Sequence, residues 1–381
     1  MRPSKSKAPA KSKASAPDAI LEIDLSAIAA NYRRMRQMVR PQVEVSAVIK
    51  ADAYGLGMAK VGPVLAKAGC KLFFVATLDE GVALRKILPK SGIAVLEGLM
   101  PKTEALFAKA KLIPVLNELG QVEAWNKFSK KFSGKRDKLK AILHLDTGMA
   151  RLGLSHGEWM KLAHDPGLLG GFDLAAIMSH LACSDEPNHA KNPEQLAIFR
   201  SALSVLPKAP ASLSSSSAIY LGPDYHFQIV RPGAALYGIN PIPGRPNPVK
   251  PVVRLKAKIL QVRGVDAGET VGYGATHLMN RPSRVATIAV GYADGWLRSG
   301  SDRGSAAISG QRVPVIGRIS MDLLTLDVTG IDKHLACAGA YVDLLDATHG
   351  VDEAAEEAGT IGYEFLTLLG KRHARIYRGG A

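Results

Sequence analysis

The chain has 381 residues, 47% of them hydrophobic, which is enough for a large core and two to three domains of ordinary size. Its net charge is +15, its three cysteines (Cys70, Cys183 and Cys337) are far apart, and no apolar run approaches the ~18 residues of a membrane span. These features exclude a disulfide framework, a Cys-x-x-Cys metal or redox site and an integral membrane protein, and they point to a reducing cytoplasm.

Residues 1–17, "MRPSKSKAPAKSKASAP", carry five basic side chains and no acid, so +10 of the net charge lies on the rest of the chain. Rich in Ser, Ala, Lys and Pro, this stretch predicts a disordered tail. It has no apolar h-region, and its prolines break any amphipathic targeting helix. The remaining basic charge is scattered and lacks the interleaved aromatics of a single-strand binder. A basic surface suited to small anionic ligands, without a nucleic-acid partner, is the expectation.

From residue 43 onward, short β-branched runs alternate with helix-like stretches. "VEVSAVIK" precedes "GMAKVGPVLAKAG", "KLFFVATL" precedes "DEGVALRKIL", and "GIAVLEGL" precedes "KTEALFAKAK". "LIPVLN" precedes "ELGQVEAWNKF", "LKAILHLD" leads through "TGMARLGL" to "HGEWMKLAHD", and "LAAIMSHLA" leads to "PEQLAIFRSALSVL". "ASLSSSS" and "QIVRPGAALYG" complete eight strand candidates. Strands alternating with helices predict parallel βαβ units, and eight of them predict a (β/α)8 barrel over 18–245. The Pro-rich "NPIPGRPNPVKP" reads as a seam. Beyond it, "VVRLKAKILQVRGV", "RVATIAVGYADG", "AAISGQRVPVIGRISMDLLTLDV" and "AYVDLLD" alternate between Gly turns, predicting a mostly β domain over 246–381.

Barrel enzymes carry their chemistry at the carboxyl ends of the strands. Those ends hold Lys50 on the first strand, His180 on the sixth, Ser214 to Ser217 on the seventh and Arg231 on the eighth, with Arg151 just past the fifth, after Asp146. By position alone, Lys50 is either a solvated surface lysine or a Schiff-base nucleophile whose amine burial and neighbouring cations keep neutral. Gly55 and Gly57 do not make a dinucleotide loop, since the third glycine of G-x-G-x-x-G would fall on Lys60.

The motifs "AVIKADAYGLG", "HLDTGMARLG", "MSHLACSD", "IVRPGAALYG", "VGYGATH", "VGYADGW", "VIGRISMD" and "TIGYEF", in this order from about residue 21 to 377, resemble those of the alanine racemases. The resemblance implies a pyridoxal-phosphate barrel, a β domain and a homodimer whose two sites each draw on both chains. It implies that Lys50 is the Schiff-base lysine and that Tyr273, from the second chain, is the other catalytic base. Tyr54, Ser217, Gly233, Ala234 and Tyr237 would surround the cofactor phosphate. Arg231 would face the pyridine nitrogen, with His180 linking it to Tyr273. Arg151 would bind the phenolic oxygen and the substrate carboxylate, aided by Met321 and Asp322, and Tyr292 and Tyr363 would line a narrow mouth that favours a methyl side chain.

Two positions depart from the family pattern. Ser216 stands where an asparagine is usual, and His144 stands where many members have a carbamylated lysine that orients the arginine; neutral His144 or a bound anion takes that role here. Cys183 reads as a buried neutral thiol. The activity implied is interconversion of L- and D-alanine by two bases for cell-wall precursors. The alternative on the same scaffold is a racemase of other small or broader-range amino acids. A decarboxylase sharing both domains, and a non-catalytic pyridoxal-phosphate carrier lacking the β domain, are more distant readings.

Overall fold

The computed structural model describes residues 16–132 and 138–380. All but the last two residues of the expected basic tail lie outside these bounds. The chain forms two compact units. The larger contains 22–253, 346–369 and the stretch from 377, and the smaller contains the chain up to 21, 254–345 and 370–376.

The larger unit is built on short parallel strands. After β1 (Ala19–Asp24), these are β2 (Glu44–Val45), β3 (Ala47–Val48), β4 (Leu72–Val75), β5 (Gly92–Val95), β6 (Ile113–Leu116), β7 (Lys140–His144), β8 (Asp173–Met178), β9 (Ala211–Ser212) and β10 (Ile229–Val230). Strands β3 to β9 pair in sequence order, each parallel to the next. Strands β2 and β3 are one extended stretch interrupted at Ser46. They take β10 as a parallel partner through Ile229 opposite Glu44 and Val230 opposite Val45. Val48 N donates to Pro232 O at 2.9 Å, while Gln228 N and Arg231 N donate to Ala211 O and Ser214 O at 3.1 and 2.8 Å. Those bonds close the eight-stranded barrel. Its interior is a packed layer: Phe74, Ala94, Val115, Ile142, Ala176, Met178 and Ile229 interdigitate, small residues facing large ones. Each larger side chain buried there contributes about 1.5–3 kcal/mol.

Helices alternate with the strands because each has a start signal and an apolar face. In the helix Leu78–Ile87, Thr77 and Glu80 form a reciprocal capping box, and the acids of the first turn and Arg85 and Lys86 of the last turn both favour the helix dipole. Val351–Glu357 and Gly362–Leu368 also belong to this unit, where Asp352 Oδ2 accepts from Asn240 N at 2.7 Å.

The smaller unit is antiparallel. Its strands are β11 (Val253–Val265), β12 (Thr270–Val271), β13 (His277–Leu278), β14 (Ser283–Ile288), β15 (Ser305–Ile308), β16 (Gln311–Ile316), β17 (Leu324–Asp327), β18 (Tyr341–Leu345) and β19 (Ala374–Arg378). The sheet runs β14-β17-β16-β15-β18-β11-β1-β19, and an extra β14–β11 pairing closes six of these strands into a ring. Strand β11 can serve several partners because it is 13 residues long and its register shifts twice, at Leu255/Lys256 and Ile259/Gln261. Bulges of this kind bend a strand and let a sheet curl shut.

Candidate active site

Lys50 follows directly on the first barrel strand, half-buried. Burial, then the charge of Arg151, holds its pKa below the ordinary amine range, while Glu80 pulls the other way. The chain after it turns left-handed: Ala51, Asp52, Ala53 and Tyr54 all have φ between 52° and 58°. For L-residues this costs roughly 1–2 kcal/mol each, so the turn must be held from outside. Ala51 N donates to Glu80 Oε1 at 2.6 Å, Gly57 N to Asp52 O at 2.8 Å and Met58 N to Asp52 Oδ1 at 2.7 Å. The turn delivers Tyr54 into the interior, its ring centroid 4.6 Å from that of Tyr237 and 6.3 Å from that of Tyr363. Burial raises the pKa of all three phenols. Tyr237 OH donates to Val48 O at 2.9 Å, tying this cluster to the strand that carries Lys50.

The serine run and the "RPG" turn meet beside it. Ser216 Oγ accepts from Gly233 N at 2.9 Å and Ala235 N at 3.2 Å, so the residue that departs from the family pattern pins the turn. Ser217 opens the short helical turn Ser217–Leu221 and hydrogen-bonds Tyr363. A Cβ on Gly233 would lie 2.5 Å from Tyr54 Oη, so only glycine leaves this cradle open.

Arg231 is 3% exposed. Its Nη1 donates to Ser212 Oγ at 2.5 Å, and its Nη2 donates to Ser179 O at 2.6 Å and approaches His180 Nδ1 at 3.4 Å. None of these partners is a carboxylate, and burial lowers the guanidinium pKa to about 10. His180 is pushed well below its usual pKa by burial, then by Arg231, Arg151, His144 and Lys50. A neutral ring accepting at Nδ1 carries its proton on Nε2. Gln195 fixes the His180 backbone, donating to His180 O at 3.0 Å and accepting from Ala182 N at 2.8 Å.

His144 ends β7, buried, with a pKa lowered to about 4 by burial, then by Arg231 and Arg151. Its Nδ1 lies 2.8 Å from Asn117 Oδ1, while Asn117 Nδ2 donates to Leu96 O and Val115 O. The amide orientation is thereby set, so His144 Nδ1 must carry the proton and Nε2 is left as an acceptor. Asp146 follows on the same strand end. Burial alone would raise its pKa, but bonds from Gly148, Met149 and Ala150 N–H groups lower it, and they shape the loop into Arg151.

The larger unit thus gathers Lys50, Tyr54, Arg151, His180, Ser217, Arg231, Gly233, Ala234, Tyr237 and Tyr363. The smaller unit carries Tyr273, Tyr292, Met321 and Asp322. Tyr273, 70% exposed, stands on a one-turn helix after Gly272, and Met321 is 54% exposed. Tyr292 N donates to Ser320 O at 3.0 Å and Ala293 N to Met321 O at 2.9 Å. Arg372 grips Asp294 with two nitrogens, at 2.7 and 2.8 Å, and Asp322 with the third at 2.6 Å, binding the Tyr292 and Met321 segments together. The supporting residues Glu80, Asn117, Gln195 and Arg372 are not evident in the sequence. The T-x-x-E of 77–80 was a signal, but of a helix start. Among the described residues no cluster of His, Cys, Asp or Glu could hold a metal ion, and no helix is long and apolar enough to cross a membrane.

A barrel with a lysine of lowered pKa at its mouth, arginines near it and an antiparallel β unit defines the class of lysine-centred barrel enzymes with a β domain. The chain belongs to the alanine racemase family: the N-terminal domain of that family matches residues 23–241 and the C-terminal domain matches 252–377. It is 46% identical to an alanine racemase of Rhodospirillum rubrum over 362 residues, covering 95% of this chain and 96% of that one. It is 47% identical to a catabolic alanine racemase of Mesorhizobium japonicum, covering 95% and 94%. The crystal structure of alanine racemase from Bartonella henselae with covalently bound pyridoxal phosphate matches with a TM-score of 0.91 at 42% identity, over 95% of this chain and all of that one.

Proposed function

We propose that this chain is a pyridoxal-phosphate-dependent alanine racemase. The observation that carries the reading is Lys50: a strand-end amine with a depressed pKa, set among Arg151, His180 and Arg231. The residues present fit the cofactor. Lys50 would hold its aldehyde carbon. Ser217, the Gly233–Ala234 turn, Tyr54 and Tyr237 would hold its phosphate, in the cradle that a Cβ at Gly233 would fill. Arg231 would face its ring nitrogen and Arg151 its phenolic oxygen. When bound, pyridoxal phosphate supplies an electron-withdrawing ring that acidifies the α-proton of alanine.

The protein's own groups do the rest. Lys50 would move a proton at Cα on the D face. Tyr273, from the β domain of the partner in a homodimer, moves one on the L face. Two bases on opposite faces are needed because one fixed base cannot serve both. Arg231 cannot accept a proton, so it leaves the ring a moderate electron sink and limits side reactions. His180, protonated on Nε2, is oriented by Arg231 and can donate a hydrogen bond toward Tyr273. Arg151 and the N–H of Met321, with Asp322 shaping the loop, would hold the substrate carboxylate, and Tyr292 and Tyr363 would restrict the mouth to a methyl-sized side chain. The product would be D-alanine for peptidoglycan, made in the cytoplasm.

Borohydride reduction of the holoenzyme, followed by peptide mass spectrometry, tests the assignment alongside an enantiomer-resolved assay over a panel of small amino acids. The expected result is a pyridoxyl adduct on Lys50 and fastest turnover with alanine. An adduct on another lysine, or a different preferred amino acid, refutes it.

A further inference from the structure

We infer that Glu80 is a positioning residue for the reactive amine, its carboxylate tying the left-handed turn that begins at Lys50 to the end of the next barrel strand. The inference rests on the role assigned to Lys50 above. Like the start of a helix, the start of this turn leaves backbone N–H groups with no carbonyl of their own to bond. Glu80 Oε1 meets them, accepting from Ala51 N at 2.6 Å and Asp52 N at 3.4 Å. Its other oxygen accepts from Ala76 N at 2.8 Å and Thr77 N at 3.4 Å, at the exit of β4. One carboxylate therefore joins two strand ends, the first of them leading into Lys50.

The charge of the same carboxylate also acts on the Lys50 amine, favouring its protonated form. The other ionisable groups acting on that amine are Arg151 and His180, so Glu80 supplies the counter-charge. Only a carboxylate can serve both strand ends, because it offers acceptors on both oxygens. A glutamine would keep one acceptor and set an amide donor against the N–H groups of the other strand end. Thr77 provides an internal control. It caps the helix Leu78–Ile87 through its own hydroxyl, which accepts from Glu80 N at 3.2 Å.

The test compares the full-length protein with Glu80→Gln, Glu80→Asp and Thr77→Ala by amide hydrogen exchange, resolved to residues 50–54, and by the rate at which each cofactor-free chain captures pyridoxal phosphate on Lys50. Both Glu80 variants should exchange the Ala51 and Asp52 amides at least tenfold faster and capture the cofactor at least tenfold more slowly. Thr77→Ala should lower the melting temperature yet leave both rates unchanged. Glu80→Asp, too short to span both strand ends, carries the test if Glu80→Gln does not fold. Unchanged exchange in a folded Glu80 variant, or the same two changes in Thr77→Ala, overturns the inference. Wild-type protein that protects these amides without capturing cofactor on Lys50 supports the tether and refutes the role given to the lysine.

Discussion

Replacing Gly233 with alanine probes the phosphate cradle directly. Gly233 has φ −130° and ψ −81°, which is not left-handed but lies outside the α and β regions that alanine favours, so backbone strain adds to a steric clash. The new Cβ would lie 2.5 Å from Tyr54 Oη, 3.2 Å from Tyr54 Cζ and 3.2 Å from Val48 Cβ. Relief requires Tyr54 to retreat by about 1 Å, into space filled by Tyr237 and Tyr363. Overpacking of this kind costs about 1–3 kcal/mol. The expected loss is ~1–3 kcal/mol, with a ~5- to 150-fold weaker affinity for pyridoxal phosphate if the cradle deforms to the same extent. Tyr54→Phe removes the atom in the shortest contact but leaves Cζ, so in that background Gly233→Ala should cost about 1 kcal/mol less. Urea unfolding of the four cofactor-free proteins measures the cycle. Equal cost in both backgrounds would refute the steric account.

Burial lowers the His144 pKa from its ordinary 6.5, kept by the unfolded chain, to about 4 in the folded one. Between those values the unfolded chain binds the extra proton, so the His144 contribution to stability should be full above pH 6.5 and fall by about 3 kcal/mol as pH drops toward 4, beside the losses from His180 and His373, whose pKa values are also lowered; His144→Asn should reduce that slope in urea titrations, and an unchanged slope would assign it elsewhere. Mixing inactive Lys50→Ala and Tyr273→Phe chains should restore racemase activity, because one site of each mixed dimer regains both groups; proven subunit exchange without activity would rule out a shared site. In Tyr273→Phe, D-alanine should still exchange its α-proton with deuterated solvent while L-alanine hardly does so, read by NMR. Equal loss from both enantiomers would remove Tyr273 as the L-specific base.

The barrel strands were legible because each is a short β-branched run ending in a turn, and the candidate side chains of the proposed site were legible because the strand ends expose them as chemistry. Lys50, His180 and Arg231 stand out for that reason. The left-handed run through Ala51–Tyr54 was not legible, since alanine and tyrosine have no preference for positive φ; the conformation is imposed by Glu80 and by bonds across Asp52. Asn117 and Gln195 were hidden for a related reason. Their side chains act on backbone groups and on His144 and His180 from other strands or helices, and no local pattern announces such contacts. Ser216 illustrates the converse. Its departure from the family pattern was visible, but its use as a pin for the 233–235 backbone depends on the fold of both segments.

Closure of the barrel also sets the order in which the site can come into being. The strand leading into Lys50 gains its second neighbour from Val230 and Pro232, about 185 residues later in synthesis. Closing so long a loop carries an entropic cost that must be met before the contacts it brings can offset it. Arg231 and Gly233 arrive on that same closing segment. A ribosome-bound chain therefore displays Lys50 early but lacks both the guanidinium and the phosphate cradle until the eighth strand has emerged. On the proposed function, the Lys50 amine and the groups proposed to hold the phosphate would be completed in one late step.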